Sequence, residues 1–305
     1  MIEVQALSKR YGDTIAVDDL SFAVQPGHVT GFLGPNGAGK STTMRMIVGL
    51  DHPTAGTVTV DGRRYQDHPA PLREVGALLE AKSIHKGRSA RNHLLALAQT
   101  HGIPARRVEE VLAMVGLEPV GRRRAGGFSL GMAQRLGMAA ALLGDPATVI
   151  LDEPVNGLDP DGVLWVRTLL KTLAAEGRTV LVSSHLMSEM AVTADHLVVI
   201  GRGRLLADTG MKELIAHVAV DGVLVRSPHA TDLRDLLIGQ GATVTSTEPE
   251  VLWVAGLTAE TIADLAVERR MALHELAPQR ASLEQAYMEL TRDAVEYRDD
   301  ERILQ

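Results

Sequence analysis

The run Gly34-Pro35-Asn36-Gly37-Ala38-Gly39-Lys40-Ser41 sets glycines, a lysine and a hydroxyl at the spacing G-x-x-x-x-G-K-[ST], with Thr42 following. Such glycines let a backbone wrap closely enough for successive N–H groups to converge on phosphate oxygens. Lys40 adds a point charge for the outer phosphates, and Ser41 offers its hydroxyl to Mg²⁺. A helix starting there aims its positive end at the same anion. Further along, Thr148-Val149-Ile150-Leu151-Asp152-Glu153 is an apolar strand pattern that ends in two acids. Asp152 would hold Mg²⁺ through its water shell, and Glu153 would accept a proton from, or polarise, a water attacking the terminal phosphate. Alone, an Asp-Glu pair after a strand is often a solvated cap. Beside a phosphate loop it reads as the other half of a hydrolytic centre.

These residues need a scaffold. Val29–Leu33 reads as a short buried strand before the loop, and Lys40–Val48 as the helix after it. Strand patterns also occur at Ile2–Leu7, Leu20–Val24 and Thr57–Val60. From about residue 88 to 144 the apolar spacing is helical, as in Val108, Val111, Leu112 and Val115. Strands return with TVILDE, TVLVSSH and HLVVIGRG, and a helix at Val163–Ala175 separates the first two. This alternation predicts an α/β fold with a largely parallel, covered sheet. Past about residue 214 the order becomes strand Gly222–Arg226, helix Thr231–Ile238, strands Ala242–Thr247 and Val251–Ala255, helix Ala259–Arg269 and strand Met271–Leu276. That is a βαββαβ, ferredoxin-like order, closed by a helix at Ser282–Thr291 and a frayed DDERILQ tail. The expected domains are therefore residues 1–215 and a small α+β domain over 216–305.

Composition narrows the partners. The net charge of −7 supplies no field to gather polyanions, which argues against nucleic acid. There are no cysteines, so disulfides and thiolate metal sites are excluded. The start MIEVQALSKRYG does not resemble a signal peptide, and no apolar run reaches the ~18 residues of a membrane span. Work at a membrane would require another chain to hold this one there.

Taken in order, Tyr11, the 34–42 loop, Phe128-Ser129-Leu130-Gly131-Met132, Leu151–Pro154, Asn156-Gly157-Leu158-Asp159 and Ser184-His185 resemble the ABC transporter ATPase subunits over roughly residues 1–215. The resemblance implies a P-loop NTPase cassette with an antiparallel N-terminal β part and a helical subdomain at about 88–144. It implies ATP and Mg²⁺ as ligands and a homodimer that sandwiches two ATP molecules. It also implies a separate membrane permease and a peripheral place on the cytoplasmic face. Tyr11 resembles the aromatic residue that stacks on adenine. Ser129 and Gly131 resemble the signature that reaches the γ phosphate held by the other subunit; read physically, they precede a helix at Ala133–Leu143 and form a second anion site. Asp159 matches the loop joining the two sites, and His185 the switch histidine at the γ phosphate.

Two positions depart from the family pattern. Leu130 stands where a glycine is usual in the signature, and Gln134 lies two residues beyond Met132. Glu80, ending Val75-Gly76-Ala77-Leu78-Leu79-Glu80, stands where many relatives have glutamine. It is either a Mg²⁺ or water contact or a solvated loop acid, and the stretch from Ala81 to Asn92 would face the membrane partner. These variants, with the ending Ser282–Thr291, resemble the drug- and antibiotic-resistance exporter ATPases. A soluble ABC-type ATPase with a regulatory or small-molecule-sensing role is the alternative. Ribosome-acting relatives carry two cassettes where this chain has one phosphate loop, and DNA-repair relatives carry a long coiled coil for which the gap from Ser41 to Ser129 has no room.

Overall fold

In a computed structural model, described over residues 1–80, 84–218, 222–279 and 283–291, the chain divides into two compact units. One holds Met1–Met211 together with the chain from Leu290, and the other holds Lys212–Glu289, so the chain from Leu290 does not group with the expected 216–305 domain. Residues 81–83 of the expected partner-facing stretch, and the tail from 292, lie outside the described residues.

The first unit starts with strands β1 (Ile2–Tyr11) and β2 (Thr14–Val24), followed by β3 (Val29–Leu33), helix α1 (Lys40–Ile47) and strand β4 (Ala55–Val60). A one-turn helix α2 (Pro71–Glu74) leads into β5 (Val75–Leu78). Three helices come next: α3 (Ala90–Thr100), α4 (Ala105–Met114) and α5 (Leu130–Ala141). The chain then alternates through β6 (Thr148–Leu151), α6 (Pro160–Ala175), β7 (Thr179–Ser183), α7 (Met187–Thr193), β8 (His196–Gly201) and β9 (Arg204–Gly210). Six strands make one sheet in the order β5-β6-β7-β3-β8-β9, all parallel except β9. The central strands β3, β6 and β7 are buried at every position, which is why they read as unbroken apolar runs rather than alternating ones. β1, β2 and β4 form a separate antiparallel sheet in the order β2-β1-β4. Its inward residues Ile2, Val4, Leu20, Phe22 and Val60 share one core with Met44 and Ile47 of α1 and with Phe32, Ile150 and Leu181 of the parallel sheet. The helix that carries the lysine is thus wedged between two sheets.

Sequence and structure differ at helix starts. α5 begins at Leu130, three residues before the expected Ala133, because Ser129 caps it by accepting from the Met132 N–H. α6 likewise begins at Pro160 rather than Val163, with Asp159 as cap and proline at the first position, where its missing N–H costs nothing.

The second unit comprises α8 (Met211–Val218, which spans the division), β10 (Gly222–Arg226), α9 (Ala230–Gly239), β11 (Thr243–Glu248), β12 (Val251–Ala255), α10 (Ala259–Glu268), β13 (Glu275–Gln279) and α11 (Leu283–Thr291, whose last two residues group with the first unit). Its sheet is antiparallel in the order β11-β12-β10-β13, the order of the split βαββαβ unit. β13 lies four residues later than the expected Met271 start. Pairing with β10 sets its register at Leu276 opposite Val225, and Pro278 is tolerated because β13 is an edge strand.

Candidate functional site

The phosphate loop turns out of buried β3 and enters α1. Gly39 makes the turn at φ +102°, and a Cβ there would sit 2.5 Å from the Ala16 carbonyl oxygen. No side-chain-bearing residue fits. An open cavity of about 280 Å³ faces the loop, lined by Ala16, residues 36–42, Asp152 and Glu153. Lys40 Nζ curls over the loop and donates to the carbonyls of Gly34 (2.5 Å) and Pro35 (3.2 Å). Burial lowers the Lys40 pKa below its ordinary value, while the carboxylates of Glu153 and Asp152 act in the opposite sense.

The acids arrive from β6, with β7 lying between it and β3 in the sheet. Ser41 Oγ donates to Asp152 Oδ2 at 2.8 Å. The intervening strand supplies the link that sequence reading passed over: Ser183 Oγ donates to Asp152 Oδ1 and accepts from the Glu153 N–H at 3.0 Å. Glu153 adopts φ +51°, a left-handed backbone rare for a residue with a side chain and costing on the order of 1 kcal/mol. In that conformation its Oε2 lies 2.6 Å from His185 Nδ1. The Glu153 carbonyl accepts from Gln134 Nε2 at 2.7 Å. Asp152, Glu153 and His185 therefore meet Ser41 and Lys40 at the C-terminal edge of the parallel strands, the edge where such sheets bind ligands.

Other expected residues lie elsewhere on the unit. Tyr11 ends β1, is 48% exposed, and donates its phenol to Asp51 Oδ2 at 3.0 Å. One face of its ring carries the Lys9 ammonium, 4.9 Å from the centroid. The Thr42 hydroxyl bears on the same phenol, whose pKa is raised by partial burial and by the bond to Asp51. Ser129 caps α5, which puts Gly131 inside its first turn rather than ahead of the helix. Asp159 caps α6 by accepting from the Gly162 N–H at 3.0 Å. Leu130, the departure from the signature, packs against Gly157: φ is +75° there, and a Cβ would overlap the leucine side chain. Glu80 follows β5 as an exposed residue; the Arg45 pKa is raised chiefly by its bond to Asp51, with Glu80 adding the smallest share.

The donor set suits Mg²⁺. Ser41 and Asp152 present hard oxygens side by side, and no cluster of three or more His, Cys, Asp or Glu occurs among the described residues. Mg²⁺ is ordinarily held in this way, by one or two protein oxygens with phosphates and waters completing the shell.

The ABC transporter family model matches residues 17–156, the stretch holding the loop, both acids and the α5 cap. A bacitracin transport ATP-binding protein of Bacillus licheniformis is 42% identical over 68% of this chain and 69% of its own. The chain belongs to the ATP-binding subunits of ABC transporters. An uncharacterised ABC transporter ATP-binding protein of Bacillus subtilis is 32% identical and spans 97% of both chains, so its similarity includes the second unit. A domain of unknown function matches residues 221–284. A solved ATP-binding subunit of an ABC transporter superposes with a TM-score of 0.66 at 29% identity, covering 71% of this chain and 92% of that one. This ABC subunit binds ATP and hydrolyses it. No helix among its described residues is long and apolar enough to cross a membrane.

Proposed function

We propose that this subunit is the motor of an exporter for an antibiotic or other amphipathic small molecule. It would act as an ATP-sandwiched homodimer on the cytoplasmic face of a membrane, joined to a separate permease. The observation that carries the reading is the Asp152–Glu153 turn, clamped to Ser183 and set against His185 and Ser41 at one sheet edge. The cargo class rests on similarity to the bacitracin transport protein.

Each residue then has a task its chemistry fits. The loop N–H groups and the start of α1 hold the phosphates, and Lys40 adds charge toward the outer ones. Ser41 and Asp152 would hold Mg²⁺, which supplies positive charge to the phosphate oxygens. Glu153 takes a proton from, or polarises, the attacking water, and His185 is within hydrogen-bond reach of Glu153 to orient it and to meet the terminal phosphate. Adenine stacks on the Tyr11 face opposite Lys9. At the start of α5, the Gly131 N–H and the Ser129 hydroxyl serve as the anion site for the second subunit's ATP. Asp159 sits on the loop that joins the two sites. Glu80, exposed two residues past the end of β5, would contact Mg²⁺ or its water and sense the membrane partner. Residues 1–215 would be the motor cassette and the compact unit Lys212–Glu289 the body of an accessory domain.

Affinity purification of the chain from its host membranes tests this reading. A multi-span membrane protein in stoichiometric amount is expected. Recovery with ribosomes or DNA at ordinary salt, and with no membrane protein, would sink it.

A further inference from the structure

We propose that Gln134 is a positioning residue for Glu153, coupling the helix that begins at Ser129 to the catalytic carboxylate of the same subunit. The inference rests on the assignment of Glu153 as the base. Gln134 lies on the second turn of α5, is only 3% exposed, and donates its amide nitrogen to the Glu153 carbonyl at 2.7 Å. A carbonyl can only accept, so this bond fixes which end of the amide faces Glu153. The opposite end, Oε1, is buried without a hydrogen-bond partner. A buried orphan acceptor is unfavourable, and an apolar side chain of the same shape would avoid it. Fold stability alone therefore gives no reason for a glutamine here. The reason lies in what the donated bond does.

That bond holds one side of a strained peptide. Glu153 sits at φ +51°, its N–H tied to Ser183 Oγ and its carbonyl accepting from Gln134 Nε2 at 2.7 Å and from the Asn156 N–H at 3.2 Å. The Asn156 bond is local to the turn, so released from either side-chain tie, Ser183 or Gln134, the residue can relax toward ordinary backbone angles and swing its carboxylate off His185. The two ties come from different parts of the unit: Ser183 ends β7 in the parallel sheet, whereas Gln134 rides on α5. The start of α5 also packs on the chain just beyond Glu153, with Leu130 and Gly131 against Gly157 and Leu158. A shift of α5 along that surface thus pulls on the Glu153 peptide directly. An anion engaged at Ser129 and Gly131 bears on the same helix, so the carboxylate is set once that end of α5 is occupied.

Gln134→Met keeps the volume and deletes the donor. The expected result is a kcat for ATP hydrolysis lower by about 10- to 100-fold with an unchanged KM for ATP. Its melting temperature should equal or exceed that of the wild type. In a Glu153→Gln background the same change should have no further effect on residual hydrolysis, because the group it positions is already gone. Wild-type kcat in Gln134→Met, or a fall in kcat matched by weaker ATP binding or a lower melting temperature, would overturn the proposal. An additive loss in the double variant would do the same. Wild-type turnover in Glu153→Gln alone would remove the base assignment itself, a failure these outcomes keep separate.

Discussion

Lys40 bears the conflict between stability and function most directly. Its ammonium is partly buried among loop carbonyls, and burial holds its pKa below the ordinary lysine value of 10.5. The sign follows from linkage. Below the lowered pKa the folded and unfolded chains both carry the proton, so the burial cost is present in full. It fades as pH rises from there toward 10.5, because the folded state releases its proton first. Lys40→Met should therefore melt at or above the wild type near pH 7, with the gap closing above pH 10, while losing ATP binding. Thermal melts across pH and a nucleotide titration check the two halves. Ser183 is the other residue whose deletion is informative: its hydroxyl holds both Asp152 Oδ1 and the Glu153 N–H. Ser183→Ala should lower kcat by about 10- to 100-fold, and a wild-type kcat would show that the clamp does not matter. Lys40, Ser41, Asp152 and Glu153 were legible because loop and strand motifs fix their types at short spacing. Ser183 and Gln134 were not. Their partners lie 31 and 19 residues away, and nothing in the local pattern separates them from any other serine after a strand or glutamine in a helix.

At the scale of elements, the start of α5 and the loop before α6 fit against each other through Leu130 and Gly157. A glycine in the signature would leave that space open. Gly157→Ala meets two obstacles, a left-handed φ and the Leu130 side chain. It should destabilise the chain by about 1–3 kcal/mol. Adding Leu130→Ala should recover the steric part and leave the backbone part, a difference readable by denaturant melts of the single and double variants. Helix bodies and buried strands were readable from apolar spacing, but the starts of α5 and α6 were not. Ser129 and Asp159 act as caps only once the following N–H groups turn toward them, and apolar spacing alone places each helix start three residues later, at Ala133 and Val163. β13 was displaced for a different reason. Met271 and Leu273 are partly buried and look like strand residues, yet they pack against the second unit's core from irregular backbone, and pairing with β10 selects the later segment.

For the whole molecule, the strand order of the second unit was foreshadowed by its alternation of elements, while its task was not. Its own core, built on Val225, Leu233, Leu237, Val254 and Ile262, gives it the means to fold as a unit. The residues lining the phosphate-loop cavity all precede Met211, so a chain truncated after Met211 should retain ATP binding by titration, and loss of binding would show that later residues support the site. Hydrolysis is expected to depend on the Glu153 carboxylate, which Glu153→Gln removes with little change of shape. Single-turnover hydrolysis and dimer formation should be followed together in that variant with ATP. The expected result is tight ATP binding and a stable dimer, with hydrolysis slowed by about 100-fold or more. Wild-type turnover in that variant would contradict the account.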